Sequence, residues 1–80
     1  MEYNIRYSKL AEKYLDSQTE KVRKRIMDAV DDLPEGNVRK LNGREGYRLT
    51  IGGFRVLFDY ADNSTIDVLI IAPRGDVYKK

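Results

Sequence analysis

The chain has 80 residues, of which 41% are hydrophobic and 35% charged, and its formal net charge is +2. This size and balance predict a single folded domain spanning residues 1–80 and are unlike those of disordered chains. The chain contains no cysteine and no histidine, which excludes disulfides and removes the commonest metal ligand and the commonest general base.

Hydropathy and charge distribution indicate where the protein is located and which partners it can bind. No apolar run approaches the length of a membrane span, and the start of the chain lacks a signal-peptide pattern, so we expect a cytoplasmic protein without a membrane partner. We also expect no metal and no cofactor. Residues 36–80 carry eight Lys or Arg against five Asp or Glu, and this basic bias is compatible with a nucleic-acid partner.

The first half of the chain predicts one strand followed by two helices. In "EYNIRY", Tyr3, Ile5 and Tyr7 alternate with polar residues, which indicates a half-buried strand. Ser8 is a suitable N-cap for a short first helix. A second helix is expected to begin at Ser17, because Ser17 and Glu20 have the spacing of a capping box, and to end before Pro34.

The second half of the chain predicts a β-meander. A short edge strand is expected around Val38–Leu41 and is followed by an Asn-Gly turn. The stretch "YRLTIGGFRVLFDY", residues 47–60, reads as a hairpin, and "TIDVLIIA" as a strand in the middle of the sheet because it is apolar on both faces. The resulting β-α-α-β-β-β-β order predicts a two-layer α+β fold, in which the first strand and a two-helix hairpin pack on a mainly antiparallel sheet of four to five strands.

The predicted hairpin carries an arginine within each of its strands. If Gly52-Gly53 is a two-residue turn, Thr50 lies opposite Arg55, and Arg48 lies diagonally from Arg55 on the same face. That face is opposite to the apolar layer suited to the helices. Two interpretations are open: the arginines pair with Asp59 or Asp67 on the sheet surface, or they form a site for an anion such as phosphate.

The end of the chain adds an arginine and a tyrosine as further candidates for a functional site. After the last strand, "APRGDVYK" places Arg74 four residues before Tyr78. Together with "YRLTIGGFRVLFDY" and "VLIIAPRGDVYK", the order of elements closely resembles the RelE/ParE toxin superfamily of bacterial toxin–antitoxin systems. Its usual pattern is an aromatic-Arg/Lys strand, a glycine-containing turn, a "YRV-x-aromatic" strand, a hydrophobic strand and then Arg-x-x-x-Tyr.

The resemblance implies a metal-independent endoribonuclease that cleaves messenger RNA in the ribosomal A site. In such enzymes the ribose 2′-hydroxyl attacks its own 3′-phosphate. By resemblance, Arg55 contacts the phosphate, and Arg74 stabilises transition-state charge or assists the leaving group. Tyr78 acts as a base or orients the nucleotide, and Arg48 matches a position that is often basic. A tyrosine would need nearby cations to act as a base at neutral pH.

One position departs from the family pattern. The best-known members carry two basic residues two apart on the first hairpin strand, whereas here the second position is Thr50. This substrate-binding surface therefore has one cation fewer, which suggests reduced or altered activity. Lys40, Arg44 or Lys79 could supply a replacement charge from the neighbouring turn and the tail.

The resemblance also implies a cognate antitoxin as partner, in a toxin–antitoxin hetero-oligomer, besides messenger RNA and the ribosome. Two other functions stay open. One is a ParE-type inhibitor of DNA gyrase, against which Arg74 and Tyr78 argue. The other is a catalytically silent member that only binds its antitoxin, for which Thr50 is the reason.

Overall fold

The computed structural model describes residues 3–73 and has the predicted order of elements. Two helices follow the first strand and precede the other four. The elements are β1 (Asn4–Tyr7), α1 (Lys9–Asp16), α2 (Glu20–Asp31), β2 (Asn37–Lys40), β3 (Tyr47–Ile51), β4 (Phe54–Asp62) and β5 (Thr65–Pro73). Neither helix within this part of the chain is long and apolar enough to cross a membrane.

The two helices begin at hydroxyl caps, one of which differs from the prediction. Ser8 caps α1 as expected, because its Oγ accepts a hydrogen bond from the Ala11 N–H at 3.0 Å. The prediction that Ser17 and Glu20 form a capping box for α2 is wrong. Helix α1 extends to Asp16, so Ser17 ends that helix and donates its hydroxyl hydrogen to the Tyr14 carbonyl at 2.6 Å. Thr19 caps α2 instead and accepts from the Val22 N–H at 3.2 Å.

The five strands form one mixed sheet in the order β1-β5-β4-β3-β2. Strand β1 pairs with β5 in parallel, and the other three pairings are antiparallel. The predicted edge position of β2 is confirmed, and its strand begins one residue earlier than expected. The predicted hairpin register is confirmed as well, with Ile51 opposite Phe54 and Thr50 opposite Arg55.

The core lies between one face of the sheet and the two helices. Leu49, Val56 and Phe58 are buried and alternate along β3 and β4 with the residues of the other face. The buried residues that pack against one another are Ala11, Leu15, Ile26, Val30, Leu33, Leu49, Val56, Phe58, Ile66, Val68 and Ile71. Because both helices cover the same face, no helix within residues 3–73 covers the opposite face, which we call the open face.

A β-bulge changes which residues of β5 face the core. Leu57 pairs with Ile70, but the next residue, Phe58, pairs with Val68, so Leu69 is inserted between the two pairs. The predicted interior position of β5 is confirmed, since it lies between β1 and β4. Its outer face is nevertheless uncovered, and Leu69 and Ile70 are 41% and 40% exposed.

The hairpin turn gives different conformations to its two glycines. Gly52 has a φ of +49°, whereas Gly53 does not have a positive φ. A Cβ added at Gly52 would lie 2.5 Å from a guanidinium nitrogen of Arg25, and a Cβ at Gly53 would have nothing within 4 Å. A positive φ at the first central residue alone is typical of a type II′ turn.

We therefore expect the two alanine substitutions to differ. Gly52→Ala should lower the free energy of unfolding by about 1–2 kcal/mol, because an L-residue is strained in the left-handed region. Gly53→Ala should leave it unchanged or raise it by up to about 1 kcal/mol, through the unfolded state. Urea unfolding followed by circular dichroism measures both, and equal destabilisation by the two changes would contradict this assignment of the turn.

Candidate anion-binding site

The open face of the β3–β4 hairpin carries the two arginines that the sequence places there. Leu49 and Val56 point into the core, so their strand neighbours Arg48 and Arg55 point to the opposite face. Arg48 pairs with Leu57, and Thr50 pairs with Arg55. Arg48 and Arg55 are therefore diagonal neighbours, whose Cβ atoms lie about 7–8 Å apart or slightly less in such a pair.

A third arginine extends this pair and was not singled out from the sequence. Arg39 of β2 lies directly opposite Arg48, and Val38 on the same strand is half-buried towards the core side. Arg39 therefore shares the open face with Arg48. Like charges directly opposite each other destabilise a sheet. The only sequence signal for Arg39 is its alternation with Val38, which becomes informative once the β2–β3 register is known.

A shallow cavity of about 440 Å³ lies beside these arginines. Its lining residues within the described part of the chain are Arg39, Lys40, Leu41, Asn42 and Arg48, and none of them is acidic. Guanidinium groups match the geometry of phosphate oxygens, and an amide can add a further donor. We define the basic face as Arg39, Arg48 and Arg55 together with this cavity.

The other sequence-predicted residues are placed differently. Thr50 lies between Asn37 and Arg55 on the open face. Lys40 contributes to the cavity wall, but its Nζ lies 5.4 Å from the centre of the Tyr47 ring, on the helix side of the sheet. Arg44 is exposed in the connection between β2 and β3.

Three further predicted residues fall outside residues 3–73. These are Arg74, Tyr78 and Lys79. Their roles therefore stay predictions from the sequence.

Asp59 of β4 and Asp67 of β5 lie opposite each other in the sheet. Asp67 accepts two hydrogen bonds from Arg6, at 2.7 Å from Nε and 3.0 Å from Nη2. This interaction lowers the pKa of Asp67 and raises that of Arg6. Asp59 accepts from the Tyr60 N–H at 2.9 Å. Asp67 thus pairs with Arg6. This argues against Asp67 as the partner of Arg48 or Arg55, which was one of the two carboxylates that the sequence offered.

Two tyrosines within residues 3–73 have a raised pKa. Burial, with a smaller effect of Asp31, raises the pKa of Tyr7 to about 12. Burial also raises the pKa of Tyr60, with contributions from Tyr3 and Tyr47. A phenol with a raised pKa is less readily available as a base at neutral pH. This part of the chain also contains no cluster of three or more acidic residues placed to hold a metal ion.

Comparison with known proteins gives matches among solved structures only. No family model and no curated protein matches the sequence. The archaeal RelE–RelB complex from Pyrococcus horikoshii OT3 contains a chain that is 26% identical, with a TM-score of 0.75, over 95% of this chain and 99% of that one.

Two further structures show the same fold at lower identity. For the RelBE2 toxin–antitoxin complex from Mycobacterium tuberculosis the identity is 18% and the TM-score 0.76, over 92% of this chain and 100% of that one. For the RelB–RelE antitoxin–toxin complex from Methanococcus jannaschii the values are 20% and 0.72, over 91% and 94%.

The basic face should lower stability through repulsion between Arg39 and Arg48. We expect Arg39→Gln to raise the free energy of unfolding by about 0.2–1 kcal/mol at low salt, and this gain should shrink as salt screens the charges. Arg6→Gln is the matched control, and it should lower stability because Arg6 pairs with Asp67. Urea unfolding at two salt concentrations tests this, and a loss of stability in Arg39→Gln at low salt would contradict it.

Proposed function

We propose that this chain, which has the RelE-like fold, is the toxin of a toxin–antitoxin system and acts as an endoribonuclease on messenger RNA. The observation that carries the proposal is the basic face: Arg39, Arg48 and Arg55 share the side of the sheet opposite to the two helices. The carboxylate of Asp67 on that side is held by Arg6. None of the described residues that line the cavity is acidic, which supports the approach of a polyanion to the arginines.

The proposed reaction is a transesterification within the RNA. The 2′-oxygen forms a bond to the adjacent phosphorus while its proton passes to a base. The bond from phosphorus to the 5′-oxygen breaks, and that oxygen takes a proton from an acid. The products are a 2′,3′-cyclic phosphate and a 5′-hydroxyl end. Negative charge develops on the phosphoryl oxygens, and preorganised cations stabilise it in the transition state.

Arg55 and Arg48 are the described residues to which we assign that stabilisation. They lie on neighbouring strands of a rigid hairpin, so their backbone positions are fixed before RNA binds. We assign transition-state stabilisation or assistance to the leaving group to Arg74, and the base or nucleotide-orienting role to Tyr78, from the family resemblance. The raised pKa values of Tyr7 and Tyr60 support seeking the base elsewhere.

A catalytically silent toxin is the second candidate, and Thr50 supports it. Thr50 lies directly opposite Arg55, where a basic residue would add a further cation to Arg48 and Arg55 beside the phosphate. A silent member would still bind its antitoxin. Inhibition of DNA gyrase is the third candidate and is separated from both by the first experiment below.

The proposed protein partner is a cognate antitoxin. The three similar structures named above are RelE–RelB or RelBE2 toxin–antitoxin complexes, which supports a hetero-oligomer for this chain too. We further propose that cleavage takes place on the ribosome, in the A site, and therefore in the cytoplasm.

Induction of the intact chain should create new 5′ ends in messenger RNA, phased with the reading frame. Arg48→Gln and Arg55→Gln should each reduce these ends by about 10²–10³-fold, as does the loss of one oxyanion-stabilising donor. Arg74→Ala combined with Tyr78→Phe should abolish them. Lys21→Gln removes an exposed cation of α2, on the helix side of the sheet, and is the control that should leave them unchanged. Mapping of 5′ ends, with plasmid supercoiling followed in the same cultures, provides the measurement.

The outcomes separate the three candidates. Changed supercoiling without new 5′ ends would support gyrase inhibition, and neither effect would support the silent toxin. Circular dichroism of each purified variant establishes that a lost activity does not reflect a lost fold.

Thr50, which is uncharged where the family pattern has a basic residue, allows a gain-of-function test. Thr50→Lys should increase the cleavage rate, because the added ammonium group would lie across from Arg55 and beside the bound phosphate. Asn37→Lys is a matched control, since Asn37 lies on the far side of Thr50 from Arg55. Cleavage of a ribosome-bound message is measured for both. A rate that falls in Thr50→Lys would mean that Thr50 is suited to the site as it stands.

A further inference from the structure

Arg39 of β2 and Arg48 of β3 form a pair of like charges on the open face. They lie directly opposite each other, so their Cβ atoms are about 4.5–5.5 Å apart. Arg39 is exposed and Arg48 is half-buried. Neither forms an ion pair with another residue among residues 3–73. Within this range, no carboxylate is bound to either guanidinium group.

The sheet positions next to this pair are uncharged. Asn37 and Thr50, which lie opposite each other, are two residues away along β2 and β3. Leu57 of β4 lies on the other side of Arg48. Because like charges opposite each other destabilise a sheet, an anion bound between the two arginines would relieve their repulsion. It would do so without meeting a carboxylate at these neighbouring positions.

The cavity beside the pair supplies donors and room for a phosphate group. Its lining residues include both arginines and Asn42, whose side chains carry N–H donors. Lys40 lines it too, but its Nζ lies 5.4 Å from the centre of the Tyr47 ring, on the helix side of the sheet. The two guanidinium groups are therefore the cations that face the cavity, and their geometry matches that of phosphate oxygens.

This cavity is separate from the position that we assign to the cleaved phosphate. Arg55 is not among the described residues that line it, and β4 is one strand further from β2 than β3 is. Arg48 lies between the two positions, opposite Arg39 and diagonal to Arg55. Its guanidinium group carries enough N–H donors to contact a phosphate on each side. Arg39 therefore extends the basic face to a second phosphate position.

We propose that Arg39 and Arg48 together bind one phosphate group of a single-stranded RNA, next to the phosphate that is cleaved. We call the two residues the arginine clamp. The inference rests on the proposed function in taking this phosphate to belong to RNA. Arg39 contributes to RNA binding and not to bond breaking. Because the bound phosphate offsets the repulsion within the clamp, phosphate binding also stabilises the fold.

The first test uses inorganic phosphate and needs no RNA. At constant ionic strength, phosphate in place of chloride should raise the urea midpoint of the intact chain and shift the side-chain Nε–H NMR signals of Arg39 and Arg48. Arg39→Gln should weaken phosphate binding at Arg48 about tenfold or more, because a charge-assisted hydrogen bond is lost. Lys21→Gln removes one exposed cation from α2 and should leave phosphate binding unchanged.

The second test uses a ten-nucleotide RNA with 2′-O-methyl groups, which lacks the attacking hydroxyl and cannot be cleaved by the proposed reaction. Its binding is followed by fluorescence anisotropy at several salt concentrations. In Arg39→Gln, the slope of log K against log salt should be smaller by about 0.7, as for one phosphate contact fewer on a single strand. Lys21→Gln should keep the slope. Arg39→Lys keeps the charge and should also keep the slope, but it should weaken binding of inorganic phosphate because the planar fork is lost.

Three results would overturn the proposal. Equal phosphate binding by the intact chain and Arg39→Gln would mean that the clamp holds no anion. An unchanged slope in Arg39→Gln, with inorganic phosphate still bound at the clamp, would assign the clamp to free phosphate in place of RNA. An equal fall of the slope in Lys21→Gln would indicate attraction by net charge alone. Circular dichroism checks the fold of each variant.

Neither test measures cleavage, so the two proposals can fail separately. RNA that binds through the clamp and is never cut would contradict the ribonuclease proposal alone. Cleavage combined with an unchanged slope in Arg39→Gln would contradict the clamp alone.

Discussion

The pairing register of the β3–β4 hairpin is the constraint on which the rest of the structure depends. Side chains alternate across a strand, so a slip of one residue would move Leu49 and Val56 to the open face and Arg48 into the core. Burying a charged group without a partner costs several kcal/mol, which strongly disfavours that slip. The two-residue turn at Gly52 and Gly53 fixes the correct register. The register that buries Leu49 and Val56 therefore also places Arg48 and Arg55 together on the opposite face.

The fold can carry these like charges because its stability comes from the opposite face. Burial of one large apolar side chain such as Phe58 contributes roughly 1.5–3 kcal/mol, whereas a like-charged cross-strand pair costs about 0.2–1 kcal/mol. The repulsion between Arg39 and Arg48 is small beside the core. The ion pair of Arg6 and Asp67 lies on the β1 side of the same face, so the carboxylate is kept from the arginines.

Local patterns predicted the fold well, and the differences have local causes. Ser8 was recognised as a cap because it directly precedes a helical apolar pattern. Ser17 was misassigned because α1 continues up to the residue before it, and Thr19 then takes the cap of α2. The bulge at Leu69 could not be predicted, because residues 68–71 are all apolar. An extra residue in such a run does not change the pattern of apolar and polar residues from which the register is inferred.

The sequence by itself determined the order of elements, the hairpin register and the open-face position of Arg48 and Arg55, because alternation and turn chemistry act between residues close in the chain. Only the tertiary structure decided that Arg39 lies opposite Arg48, that Arg6 pairs with Asp67, and that β5 extends beyond β1. Arg6 and Asp67 are 61 positions apart. Contacts at such separations depend on which strands become neighbours, and the packing of the whole sheet sets that order.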